Sequence, residues 1–109
     1  MKFLGLCAGI FCSLSIVAAT AEESTLAASH DLGIEGGRQC MLNHQHSGSG
    51  MGATKPAARL SAIRSWADFT DFEYGRRWAS FSVAAGSSTR YSKEASGWSA
   101  TVDARPCKR

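Results

Sequence analysis

The fold is decided by the stretch TKPAARLSAIRSWADFTDFEYG, residues 54–75. Thr54 suits a helix N-cap and Pro56 suits the first turn, while Gly75 suits the C-terminal stop. At 100° per residue, most apolar side chains between them fall on one half of the helix and the charged ones on the other. The stretch therefore predicts a helix from about Pro56 to Tyr74 that packs one face on a core.

Beyond Gly75 the pattern changes from the helical period to an alternation of period two, which is typical of strands. The alternating runs are Trp78 to Ala85, Thr89 to Lys93 and Trp98 to Arg105, with Gly and Ser between them. The expected fold class is α+β, in which one amphipathic helix is followed by a three-stranded antiparallel meander and the two pack as two layers. The predicted core consists of Leu60, Ile63, Trp66, Phe81, Val83, Trp98 and Val102.

The first 21 residues are typical of a signal peptide. Lys2 precedes an apolar run, and Ala19-Thr20-Ala21 fits the small-x-small rule, which predicts cleavage after Ala21. The alternative is an uncleaved anchor, but the run is shorter than the ~20 residues that a spanning helix needs, and Glu22-Glu23 follow it. We expect a periplasmic or secreted protein with no stable membrane anchor after cleavage.

The segment 22–54 is rich in Gly, Ser and Ala, and its few large apolar residues show no sustained period. Gly36-Gly37 and the run 47–50 interrupt it. The pattern predicts a flexible arm over 22–54, followed by a small domain of helix and three strands over 55–109.

Cysteine usage indicates one disulfide bond. Cys7 and Cys12 lie in the predicted signal peptide, which leaves Cys40 and Cys107 in an exported chain. A bridge between them would close a loop of about 67 residues and stabilise the fold by ~4 kcal/mol. The alternative is two separate thiols or a bridge between molecules.

Several short pieces spread over about half of the chain carry a family resemblance. They are Ala62-Ile63-x-x-Trp66, Tyr74-Gly75, Trp78-Ala79, Ala84, Gly97-Trp98 and Arg105-Pro106-Cys107. These pieces resemble small secreted proteins associated with alphaproteobacteria, whose tail reads tryptophan-x-cysteine and ends on proline-cysteine. The resemblance implies export and this fold, and it supplies no activity. The chain departs from that pattern near Tyr91 and Ala100, where such proteins tend to carry cysteines.

One group of side chains has the chemistry of a metal site. Cys40, His44 and His46 form a Cys-x3-His-x-His pattern, with Met51 nearby, and these ligand types suit copper or zinc. The predicted disulfide competes for Cys40, and the predicted arm offers no rigid frame. A periplasmic copper- or zinc-binding protein that uses this arm is therefore the alternative hypothesis for function.

The sequence contains none of the catalytic motifs that we searched for. There is no Gly-x-Ser-x-Gly elbow and no phosphate-binding loop, and all three histidines lie in the predicted arm. Asp68, Asp71 and Glu73 are expected on the solvated helix face. The leading hypothesis is a non-enzymatic binding or structural module without a cofactor.

The net charge of +3 is a weak basic bias. Trp78, Tyr91 and Trp98 near several arginines suggest nucleic acid, but export separates the protein from that partner. The expected partner is an envelope component or another protein, and the sequence does not identify it.

Overall fold

The computed structural model describes residues 25–109, so the predicted signal peptide and its cleavage site lie outside the described residues. Within this range two helices and five strands follow one another, with two 3-10 turns between the second helix and the fourth strand. In chain order they are α1 (Thr25–Ala28), β1 (Leu32–Glu35), β2 (Arg38–Met41), β3 (His46–Gly52), α2 (Lys55–Tyr74), the turns Arg76–Trp78 and Phe81–Val83, β4 (Ala85–Glu94) and β5 (Gly97–Arg105).

The predicted helix is confirmed as α2. The Thr54 hydroxyl accepts a hydrogen bond from the backbone N–H of Ala57 at 3.3 Å, as an N-cap should. Gly75 ends the helix at φ 95°, a backbone conformation that favours glycine.

The predicted two-layer α+β architecture is also confirmed, because α2 packs on a three-stranded antiparallel sheet of order β3-β5-β4. The membership of that sheet differs from the prediction. Its first strand is β3, which pairs with β5 from His46 opposite Ala104 to Gly52 opposite Trp98.

The strand predicted over 78–85 is wrong. The edge of β5 that this segment would need is occupied by β3, so the segment forms the two 3-10 turns instead. The aromatic rings of the turns pack into the core. The Phe81 ring lies edge-on to Trp66 with centroids 5.3 Å apart, and Trp78 is buried.

The segment expected to be a flexible arm carries β1, β2 and β3. Gly48, Gly50 and Gly52 of β3 all face α2, and a Cβ atom built on Gly50 would lie 2.5 Å from the backbone nitrogen of Ala62. Their lack of side chains lets the helix backbone approach the strand closely. The glycines that suggested a mobile linker are thus the packing surface of an ordered strand.

The main core lies between α2 and the sheet. Trp66 and Val102 are fully buried as predicted, Ile63, Phe81 and Trp98 are half-buried against them, and Val83 is half-buried in its turn. Leu60 is 49% exposed, so its prediction as a core residue is wrong. At 100° per residue it lies about 120° around the helix from Trp66, and the buried stripe of α2 is narrow. That stripe is Ala58, Ala62, Trp66, Thr70 and Tyr74.

The hairpin β1–β2 is fastened to the C-terminal tail by the predicted disulfide between Cys40 and Cys107. Arg105 adds a second link, since its guanidinium donates to the carbonyl of Met41 at 2.8 Å and to the carboxylate of Glu35 at 2.7 Å. These links hold the loop after β2 against the end of α2. No helix within residues 25–109 is long and apolar enough to cross a membrane.

Candidate metal centre

All three histidines of the chain meet at the last turn of α2. His30 follows α1, His44 lies in the loop between β2 and β3, and His46 is the first residue of β3. Adjacent rings lie close together, with centroids 4.7 Å apart for His30 and His44 and 5.0 Å apart for His44 and His46. Glu73 and Tyr74 supply the opposite wall from α2.

Two backbone and side-chain contacts hold the histidine segments together. The backbone N–H of Leu42 donates to the carbonyl of Asp31 at 2.9 Å, and the Asn43 amide donates to the Asp31 carboxylate at 2.9 Å. The residue after His30 is thereby tied to the residue before His44.

His46 is buried, and its hydrogen bonds define which ring nitrogen carries the proton. The Thr70 hydroxyl donates to the carbonyl of Trp66 at 2.7 Å, so its oxygen must accept from His46 Nδ1 at 2.9 Å. Nδ1 therefore bears the hydrogen of the neutral ring. The lone pair of the neutral ring is on Nε2.

That lone pair faces an acceptor. His46 Nε2 lies 3.1 Å from the Glu73 carboxylate and 3.2 Å from the Tyr74 hydroxyl. Burial is the main influence on the pKa of His46 and lowers it, together with the nearby His44 and His30, while Glu73 opposes them. Burial thus favours the neutral ring of His46, while the Glu73 carboxylate beside Nε2 favours the protonated ring.

His30 is arranged in the same way. Its Nδ1–H donates to the carbonyl of Leu26 at 2.7 Å, because a carbonyl can only accept. Its Nε2 lone pair faces the Tyr74 hydroxyl at 3.3 Å.

Tyr74 has one proton for three acceptors. Burial, assisted by Glu73, raises the pKa of Tyr74 to about 12, so the hydroxyl stays protonated. The hydroxyl oxygen lies 3.3 Å from His30 Nε2 and 3.2 Å from His46 Nε2, and the Glu73 carboxylate also hydrogen-bonds with it.

His44 completes a group of three side chains that could hold a metal ion. One ring nitrogen of His44, one of His46 and one carboxylate oxygen of Glu73 all lie within 4.8 Å of one another. When zinc lies 2.0–2.2 Å from each of its four ligand atoms in a tetrahedron, those atoms are roughly 3.3–3.6 Å from one another. A small rotation of the half-buried His44 ring would bring the three atoms from 4.8 Å to that separation. The ring also lines a cleft of about 250 Å³, together with Ser29, His30, Asp31 and Asn43.

The structure brings together two of the residues that the sequence indicated for a metal. His44 and His46 lie side by side, but Cys40 is in the disulfide, and Met51 is 62% exposed near the far end of β3. Reasoning from sequence missed Glu73 by assigning it to the solvated helix face. No local signal marks it, because the site forms only when β3 pairs with β5 beside α2.

The chain matches no protein-family model, no curated protein and no solved structure.

Proposed function

We propose that the protein is a small exported metal-binding module that holds one zinc or copper ion between His44, His46 and Glu73. The two imidazoles are borderline ligands that suit zinc and copper better than calcium or magnesium, and zinc also accepts a carboxylate oxygen. The proposal replaces the Cys40 and Met51 ligands of the sequence hypothesis with Glu73.

The observation that carries the proposal is the contact at 3.1 Å between His46 Nε2 and the Glu73 carboxylate. The hydrogen bond to Thr70 fixes the lone pair of His46 in that direction. A histidine that binds a metal usually donates its other ring N–H to a hydrogen-bond acceptor in this way, which fixes the orientation of the ring.

Export is part of the proposal and is supported by the disulfide. Both sulfur-bearing residues are buried, Cys40 at 0% and Cys107 at 1% exposure. Disulfides of this kind persist in oxidising compartments such as the periplasm or the extracellular space. A non-enzymatic role is the simplest use of an ion held by a domain of this size.

The test is a titration of the tag-free, oxidised protein, expressed as the full chain, with Zn²⁺ and with Cu²⁺. We expect one ion per chain, and we expect H44A and E73Q to lose at least about tenfold in affinity. D71N is the matched control for E73Q, because Asp71 is an exposed carboxylate on the same helix turn, and M51A tests the sequence hypothesis. Both controls should bind as the wild type does.

Melting curves in a chelator establish that each variant is folded. The absence of stoichiometric binding, or affinities of H44A and E73Q equal to that of the wild type, would contradict the proposed function.

A further inference from the structure

The three proposed ligands leave one position of a four-coordinate ion without a protein atom. Zinc in structural sites takes four protein ligands, whereas in catalytic sites it takes three and a water molecule. The identity of the fourth ligand therefore decides which kind of site this is.

We propose that His30 is the fourth ligand, through Nε2, so that three imidazoles and one carboxylate enclose the ion. This inference rests on the proposed function of the His44, His46 and Glu73 cluster.

The orientation of His30 is the first argument. Its Nδ1–H is bound to the carbonyl of Leu26 at 2.7 Å, which leaves Nε2 as the ligand atom. This is the pattern of an imidazole prepared for a metal, in which the remote nitrogen donates to a carbonyl. His46 is oriented in the same way by its contact with Thr70, so both rings have Nδ1 in a hydrogen bond and Nε2 directed toward the site.

Proximity is the second argument. Only the Tyr74 oxygen separates the two lone pairs, because it lies 3.3 Å from His30 Nε2 and 3.2 Å from His46 Nε2. The His30 ring is also in contact with the His44 ring. His30 and His44 are half-buried and therefore able to rotate toward an ion that the buried His46 holds.

The third argument is the connection of the segments. The contacts of Asp31 with Leu42 and Asn43 make the His30 and His44 segments one unit. The His30 and His44 rings are therefore held beside each other at the same edge of the site. With His30 bound, no water reaches the ion as a ligand, and the site stores or delivers metal instead of activating water for hydrolysis.

Cobalt(II) is the probe for this arrangement, because four-coordinate tetrahedral cobalt absorbs visible light far more strongly than five- or six-coordinate cobalt. The wild-type complex should show the strong bands. H30A should lose them as water enters, and its Zn²⁺ affinity should fall at least about tenfold. Q45A is the control, because Gln45 is an exposed residue of the loop between His44 and His46. It should keep the strong bands and the Zn²⁺ affinity of the wild type.

Two further variants distinguish a ligand from a hydrogen-bond acceptor. H30Q can accept from Tyr74 but lacks an imidazole, so it should behave as H30A does. Y74F removes a hydroxyl that must release His30 before coordination, so it should bind Zn²⁺ about 3–10-fold more tightly. The inference would be overturned if H30Q bound Zn²⁺ as tightly as the wild type and Y74F bound it more weakly. Both results would show that His30 serves only as a hydrogen-bond acceptor for Tyr74.

The failure of this inference is distinguishable from failure of the proposed function. If the wild type binds one cobalt ion with weak bands and H30A binds it equally well, His30 is not a ligand while the three-ligand site stands. If the wild type binds no metal, both are wrong.

Discussion

At the scale of single residues, the orientation of His46 depends on one hydroxyl group. The Thr70 hydroxyl accepts a hydrogen bond from His46 Nδ1–H and donates one to the carbonyl of Trp66. All three groups are buried, so water cannot replace the missing partner if the hydroxyl is removed.

We predict that T70V reduces the free energy of unfolding by about 1–3 kcal/mol, because it leaves a buried N–H without a partner. The Zn²⁺ affinity should fall about 10–100-fold, as is usual when the group that accepts a hydrogen bond from a metal-binding imidazole is removed. Urea denaturation and zinc titration measure the two effects. T101V serves as control on the outer face of the sheet, and a T70V affinity equal to that of wild type would refute the orienting role.

The lowered pKa of His46 predicts the pH dependence of the metal-free protein. In the unfolded chain histidine titrates near the ordinary value of 6.5, whereas burial holds the folded-state pKa of His46 below it despite Glu73. The unfolded state therefore binds more protons in that window. The free energy of unfolding should decrease as the pH falls below about 6.5 and level off below the folded-state pKa.

Urea denaturation in a chelator between pH 8 and pH 5 measures this dependence, and subtraction of the H46Q curve isolates the His46 contribution. An increase in stability on acidification would instead indicate that Glu73 keeps His46 protonated in the fold.

The sequence indicates only part of the site at this scale. His44 and His46 are two residues apart, so their pairing is visible as a local motif. His30 and Glu73 join them through the pairing of β3 with β5 and the packing of α2, and those long-range contacts leave no mark in the spacing of residues.

At the scale of elements, α2 could be predicted because its signals are local. The Thr54 cap, the Gly75 stop and the helical period between them act within a few residues. The strand β3 was missed because glycine is depleted in strands. Its glycines nevertheless recur at period two, at 48, 50 and 52, and that alternation is the signal of a strand packed against a helix.

We predict that G50A is severely destabilising. Its Cβ would lie 2.5 Å from the Ala62 nitrogen, which is backbone and cannot rotate away. Overpacking of this kind costs about 1–3 kcal/mol or more. Thermal melting compares G50A with S49A, the neighbouring exposed position, and equal melting temperatures would contradict the close packing of α2 on β3.

At the scale of the whole molecule, the Cys40–Cys107 disulfide joins the hairpin to the tail across 67 residues. The backbone N–H of Met41 donates to the carbonyl of Pro106 at 2.9 Å beside it, so the bridge reinforces an existing contact. The pairing could be predicted because Cys40 and Cys107 are the two cysteines outside the predicted signal peptide, whereas its position beside the proposed metal site could not. The bridge also anchors the hairpin from which the His44 loop emerges.

We predict that the double variant C40A/C107A loses about 4 kcal/mol of stability, because the unfolded chain regains the entropy of the closed loop. The Zn²⁺ affinity should also fall, since the His44 loop is then less firmly held. Chemical denaturation and zinc titration measure both quantities. A double variant with unchanged affinity would show that the hairpin and its hydrogen bonds alone position the ligands.

The central claim is that this chain holds a metal ion through nitrogens whose lone pairs the fold has already oriented. Nitrogen-15 NMR of the three imidazoles during a Zn²⁺ titration tests it most directly, because it reports on each ring nitrogen separately. We expect His46 to carry its hydrogen on Nδ1 before and after zinc is added, while its Nε2 signal shifts to a metal-bound value and saturates at one equivalent. A His46 Nε2 signal that does not respond to excess Zn²⁺ would contradict it.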